Sequence, residues 1–142
     1  MSSARSDTVE QFHHLAIVML RKLRNVDEAN GFSGPRASAL SVLVFGGARS
    51  LTELAEAERV TPATMSKLVT ALEREGLVRR YPDVNDARAI RIESTAKARR
   101  ILERGRARRL DVLESLLADA NHAEVEAVRE AAEVLEHALE SA

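Results

Sequence analysis

Residues 51–75 read LTELAEAERVTPATMSKLVTALERE, and this stretch decides the architecture. Ser50-Leu51-Thr52-Glu53 just ahead of and into it has the form of a capping box, which predicts a short helix running to about Glu58. After a turn around Arg59-Val60, Thr61 predicts a second cap. Pro62 then takes the first helical position, where its missing N–H costs nothing. Met65, Leu68, Val69 and Leu72 recur at i, i+3, i+4 and i+7, so this second helix has one buried face. Gly76 ends it. A short helix, a tight turn and a capped helix make a helix-turn-helix pattern.

Downstream, Leu77 to Tyr81 is followed by a turn-forming segment, Pro82 to Ala87, and then by Arg88 to Glu93. In the last run Ile90 and Ile92 alternate with Arg91 and Glu93, the period of a half-buried strand. A two-stranded hairpin with a long loop is predicted. Thr95 caps a long helix reaching about Ala118, in which Gly105 marks a bend or a close crossing. Asn121, with Glu124 three residues on, caps a last helix carrying Val125, Val128, Ala132, Leu135 and Leu139. Upstream, Gly34-Pro35 opens a helix rich in Leu40, Val42, Leu43, Val44 and Phe45, which ends at Gly46-Gly47. The first helix is predicted to start at Asp7, with Glu10 reaching back, and to stop at Asn30-Gly31. Its apolar stripe is Phe12, Ala16, Met19, Leu23 and Val26. The predicted fold is mainly α with a small β-hairpin wing. A winged helix-turn-helix core at residues 33–95 is flanked by an N-terminal helix, 1–32, and C-terminal helices, 96–142.

Composition narrows the function classes. The chain of 142 residues has no cysteine, which excludes a disulfide framework, a thiolate metal site and a thiol redox switch. The apolar run Leu15 to Leu20 is far too short to span a bilayer, so neither signal peptide nor membrane segment is expected, and the expected location is cytoplasmic. A formal net charge of −1 hides an asymmetry: Arg49 to Arg109 holds 15 basic and 9 acidic residues, whereas Leu110 to Ala142 holds 9 acidic residues and only Arg129. A positive middle with an acidic tail suits a polyanion-binding module joined to a part with another task. The arginines of the fifth helix (Arg99, Arg100, Arg104, Arg106, Arg108 and Arg109) occur at all helical phases and read as a solvated linker. His13 and His14 point about 100° apart on a helix and cannot grip one metal together. His122 and His137 are too far apart to face each other within one helix, so no metal or other cofactor is expected. There is no glycine-rich phosphate loop, nucleophile elbow or thiol, so the chain is not expected to be an enzyme.

On the helix from Pro62, the side opposite the buried face carries Ala63, Lys67, Thr70 and Arg74, flanked by Thr64, Ser66 and Ala71. Small side chains let such a helix approach base edges, and Lys67 can donate to guanine O6 and N7. Hydroxyls and N-terminal amides suit phosphate oxygens. Double-stranded DNA is the expected partner, met by Pro62, Ala63, Thr64, Ser66, Lys67 and Thr70 and by the hairpin. In the hairpin, Asp86 and Arg88 lie two apart in a strand-like stretch, so the carboxylate is predicted to orient the guanidinium. The alternative is a helical interaction module whose acidic tail binds a partner protein and whose hairpin is only structural.

Leu72-Glu73-Arg74-Glu75-Gly76-Leu77-Val78, then Arg80, then Asp86-Ala87-Arg88, resembles the MarR family of multiple-antibiotic-resistance-type regulators. The family's wing pattern, an arginine followed six residues on by aspartate-any-arginine, is met by Arg80, Asp86 and Arg88, and the order of elements matches over nearly the whole chain. The resemblance implies a triangular homodimer built on the first and last helices. It also implies an Arg88 held by Asp86 in or beside the minor groove. A ligand-responsive regulator is implied, more readily a repressor, on a pseudo-palindromic operator. Effectors of the family occupy the cleft between the DNA-binding and dimerisation parts, where Phe12, His13, Phe32 and Phe45 are candidates, core packing being the alternative use of the phenylalanines. The chain departs from the family in two places. Lys67 stands where arginine is frequent, and lysine lacks the bidentate fork. Thr95-Ala96-Lys97-Ala98 has alanine where glycine is frequent.

Overall fold

A computed structural model describes residues 2–142. Six helices and three short strands follow in the order α1 (Ser2–Ala29), α2 (Gly34–Gly46), β1 (Arg49–Ser50), α3 (Leu51–Ala57), α4 (Pro62–Arg74), β2 (Val78–Pro82), β3 (Ile90–Ser94), α5 (Ala96–Leu116) and α6 (His122–Glu140). The chain divides into two compact units, Met1–Arg109 and Leu110–Ala142.

The core of the first unit is built from one face of each element. Leu40, Leu43, Leu54, Met65, Val69, Leu72 and Ile92 are its largest side chains with almost no exposure. Phe32, Val42, Leu51, Leu68, Ile101 and Leu102 pack around them. The Thr61 cap forms as the sequence dictates, its Oγ1 accepting from Thr64 N–H at 3.2 Å. At Ser50 only half of the predicted capping box forms, Ser50 Oγ accepting from Glu53 N–H at 3.1 Å while the Glu53 carboxylate lies 3.6 Å from the Arg91 guanidinium. Gly76, at φ +73°, turns the chain out of α4, with Gly76 N–H bonded to Glu73 O and Leu77 N–H to Leu72 O. This Schellman geometry needs the left-handed residue that glycine supplies cheaply, and it drops Leu77 into the core directly after the helix. In the second unit, Asn121 and Glu124 close a reciprocal capping box at the start of α6.

Five expectations are corrected. The sheet has three strands in the order β1-β3-β2, not two. Arg49 and Ser50 pair antiparallel with Ile92 and Arg91, a strand of two residues whose signal is hidden because Ser50 also caps α3. Helix α1 begins at Ser2 rather than at Asp7. Neither glycine nor proline stands between Ser2 and Asp7, so a capping-type residue there lies inside the helix. Phe12 and Phe45 are 50% and 74% exposed, so neither packs in the core. In β3 only Ile92 is buried, because Ile90 pairs with Pro82 at the outer end of the hairpin, beyond the core. Helix α5 runs unbroken through Gly105, where an added methyl would meet only side-chain atoms, Arg109 Nη1 nearest at 3.4 Å, so no backbone crosses close by.

Candidate nucleic-acid interface

The residues that the sequence assigns to base contact lie along the N-terminal part of α4. Pro62, Ala63, Thr64 and Lys67 are exposed, and among the described residues Lys67 has no ion-pair partner. Ser66 and Thr70 are half-buried. Thr70 does not present a free hydroxyl: its Oγ1 donates to Ser66 O at 2.9 Å and accepts from Arg80 Nη2 at 3.0 Å. Arg80 Nε also lies 3.7 Å from Glu73 Oε2. Strand β2 is thereby tied to the flank of α4 by a residue that the sequence placed on the outer face. Thr70 fixes the wing relative to the helix.

The wing tip is organised by carboxylates acting on backbone amides. Asp83 N–H donates to Ala89 O at 2.9 Å, and Asp83 Oδ1 accepts from the N–H groups of Asn85 at 2.8 Å and Asp86 at 3.2 Å. Asp86 Oδ1 accepts from Arg88 N–H at 3.0 Å. The predicted pairing of Asp86 with the Arg88 guanidinium is therefore replaced by an Asx turn. Residues 86–89 are a turn and not a strand, and in a turn the group within reach two residues on is the backbone amide. Arg88 is exposed, and among the described residues its guanidinium makes no ion pair.

The residue that sequence reasoning missed is Arg91. Its Nη2 donates to Ala48 O at 2.9 Å, and its guanidinium lies 3.6 Å from Glu53 and 3.7 Å from Asp83. One half-buried arginine thus links the segment before β1, the first turn of α3 and the wing loop. The alternation around it was visible, but its partners depend on the pairing of β1, which the sequence does not announce.

The candidate effector residues are not brought together. Phe32 lines a cleft of about 170 Å³ with Ser38, Ser41, Ile101, Leu102 and Arg108, whereas Phe12, His13 and Phe45 do not line it. Among the described residues, no group of three or more His, Cys, Asp or Glu side chains is placed to hold a metal ion. No described helix is long and apolar enough to cross a membrane.

Comparison with known proteins agrees with this geometry. A model of the MarR family matches residues 36–90, from α2 into the first residue of β3. An HTH-type transcriptional regulator of Mycobacterium bovis, itself uncharacterised, is 30% identical over 122 residues, covering 85% of each chain. An HTH-type transcriptional regulator of Mycobacterium tuberculosis matches to the same extent. Among solved structures, a transcriptional regulator of Thermotoga maritima superposes with a TM-score of 0.83 at 22% identity, covering 96% of both chains. The YusO protein of Bacillus subtilis gives 0.78 at 20% identity, covering 100% of this chain and 99% of its own. A Staphylococcus aureus MepR mutant bound to an oligodeoxyribonucleotide gives 0.74 at 21% identity, covering 93% and 97%. With a winged helix-turn-helix whose helix face and wing tip carry unpaired cations, and with relatives of this kind over most of its length, the chain belongs to the MarR family of DNA-binding transcription regulators, not of enzymes.

Proposed function

We propose that the chain acts as a homodimeric repressor on a pseudo-palindromic operator and is released from it by a small-molecule effector. The observation that carries the DNA part of this reading is the pair of unengaged cations Lys67 and Arg88. One stands on an exposed helix face with small neighbours, the other on a loop that its own carboxylates hold in shape. In this reading Pro62, Ala63, Thr64, Ser66 and Lys67 face the major groove, and Lys67 donates to a guanine. Arg88 meets the phosphates or the minor groove beside it, while Asp86 holds the loop and Thr70 holds the wing against the helix.

The dimer part is supported by exposed apolar side chains. Helix α1 leaves Val9, Phe12, Leu15, Ile17, Val18, Met19 and Leu20 between 40% and 59% exposed, and α6 leaves Val125, Val128, Val134, Leu135 and Leu139 exposed. Monomeric soluble proteins rarely show so much apolar surface on single helices. Residues 1–32 and 96–142 are accordingly assigned to dimerisation and 33–95 to DNA. A two-fold dimer presents its recognition helices to two half-sites related by the same symmetry, hence the palindromic operator. The effector part is supported by the cleft beside Phe32, which adjoins α2 and α5.

Selection of bound duplexes from a random pool tests the reading, because it returns half-site sequence and spacing together. The expected product is an inverted repeat whose affinity falls steeply with salt and exceeds that for random duplex. Recovery of unrelated sequences with no symmetry would refute it.

A further inference from the structure

Two side chains on one turn of α2 reach the residues that flank the recognition helix, Glu75 at its C-terminal cap and Glu58 at the end of the preceding helix α3. The guanidinium of Arg36 pairs with the carboxylate of Glu75, the C-cap residue of α4. Two residues on, Ser38 Oγ donates to Glu58 Oε1 at 2.9 Å. Glu58 is the C-cap residue of α3 and stands immediately before the turn Arg59-Val60 that leads into the Thr61 cap. Helix α4 has 13 residues, and its two ends are about 20 Å apart at ~1.5 Å per residue. A single turn of α2 therefore holds the approach to that helix and its exit. The exit is also held from α5, where Lys97 Nζ donates to Glu75 O at 2.7 Å.

The same turn borders the cleft. Phe32 and Ser38 both line it, and the Arg36 guanidinium lies 5.6 Å from the centroid of the Phe32 ring, within cation–π range. The Arg36 Nε is buried with no hydrogen-bond partner. Arg36 is thus caught between an aromatic wall of the cleft and a carboxylate at the end of the recognition helix, with one donor unsatisfied.

We infer that Arg36 and Ser38 are positioning residues for DNA recognition: they set the placement of the recognition helix from both ends and pass to it any displacement of the cleft wall at Phe32. The contacts are exposed enough to contribute little to folding, since ion pairs at the surface are weak. Direct base readout, in contrast, requires the reading side chains to be held within about 0.5 Å, and this is the role such weak contacts serve. The link to the cleft rests on the effector reading above; the positioning role does not.

The test uses the full chain and two independent measurements on Arg36→Glu, Glu75→Arg, their double exchange, and Ser38→Ala. Hydrogen exchange of the DNA-free protein is expected to speed up in residues 58–65 for Ser38→Ala and in 72–77 for Arg36→Glu, with the thermal midpoint unmoved. The ratio of affinity for the selected duplex over random duplex is expected to fall about tenfold in each charge reversal, within the coupling range of contacting residues. It is expected to return to within about threefold of the parent in the double exchange, which reverses the pair. Should Arg36→Glu fail to fold, Ser38→Ala, which removes one hydroxyl, carries the same test at the other end. Unchanged exchange at both ends of α4 would overturn the inference, as would a double exchange no better than its parents. A parent chain with no sequence preference would instead refute the operator reading, and the exchange result would stand alone.

Discussion

Substitutions at Asp86 separate two ways in which a wing can hold its arginine. The Asp86 Oδ1 bond to Arg88 N–H, at 3.0 Å, requires only an acceptor at that position. Asn supplies the same acceptor without the charge, so Asp86→Asn should keep the turn and remove a repulsion from the DNA backbone. Asp86→Ala should lose one hydrogen bond, worth about 0.5–1.5 kcal/mol in holding the turn. Arg88→Ala removes the cation itself. Arg88 makes no intramolecular side-chain hydrogen bond or ion pair among the described residues, so folding should change by less than about 0.5 kcal/mol. One charge-assisted contact is worth about 1.5–3 kcal/mol, so two wings of a dimer should lose about 3 kcal/mol or more, roughly a hundredfold at low salt. The slope of log K against log salt should become shallower by about 1.8, from about 0.9 for each of two phosphate contacts. Fluorescence anisotropy with a labelled operator, titrated at several salt concentrations, measures both quantities. The expected order of affinity is Asp86→Asn equal to or above the parent, then Asp86→Ala, then Arg88→Ala, with only the last changing the slope. If Asp86→Asn is as weak as Asp86→Ala, the carboxylate charge acts on the guanidinium after all and the Asx turn is not the device.

Three further outcomes are expected. Arg59 holds φ +55° in the helix-turn-helix turn, a left-handed conformation that costs a non-glycine residue about 1–2 kcal/mol, so Arg59→Gly should stabilise the chain by about 0.5–1 kcal/mol after the entropy of the unfolded glycine is offset. A urea midpoint that falls instead would mean that the arginine makes compensating contacts. Thr61→Ala removes the cap of α4 and should cost about 1 kcal/mol in the same urea assay, together with a loss of DNA affinity; a neutral result would show that the helix entry is held by Pro62 and the turn alone. Phe12→Glu on α1 or Leu139→Glu on α6 puts a charge into a face now 50% or 78% exposed, and should convert the proposed dimer to a monomer by light scattering at micromolar concentration; an unchanged mass for both would remove these helices from the proposed interface.

The helix-turn-helix was legible because its signals are local. Ser50, Thr61, Pro62 and Gly76 each fix a few backbone dihedrals, and the period of Met65, Val69 and Leu72 fixes which side is buried. What was not legible depends on partners distant in sequence. The pairing of Arg49 and Ser50 with β3 occupies two residues and shares one of them with a cap. Thr70 reads as an outward hydroxyl until Arg80 arrives from the next element to bond it. Arg91 is one more arginine in a basic stretch until Ala48, Glu53 and Asp83 are brought round it. The Asp86–Arg88 pairing expected from the sequence fails for a local reason: alternate side chains share a side only in an extended run, and the chain turns there. Phe12 and Phe45 illustrate a different limit, because apolar character says that a side chain leaves water and does not say whether its own chain covers it.

That Ser50 finishes a strand and caps a helix with no residue between has a mechanical consequence. The root of the wing has no slack: lengthening the chain by one residue at Arg49-Ser50 would detach either the sheet ladder or the first turn of α3. The tip is built the other way. Between Asp83 and Ala89 it closes on its own backbone and side-chain acceptors, and among the described residues its side-chain link to the rest of the fold is the reach of Arg91 to Asp83. Foreign tips grafted between Pro82 and Ile90 are therefore expected to leave the fold intact, provided that an acceptor is kept where Asp83 stands. Variation in what the wing touches is thereby confined to seven residues, while the hinge on which they ride cannot drift.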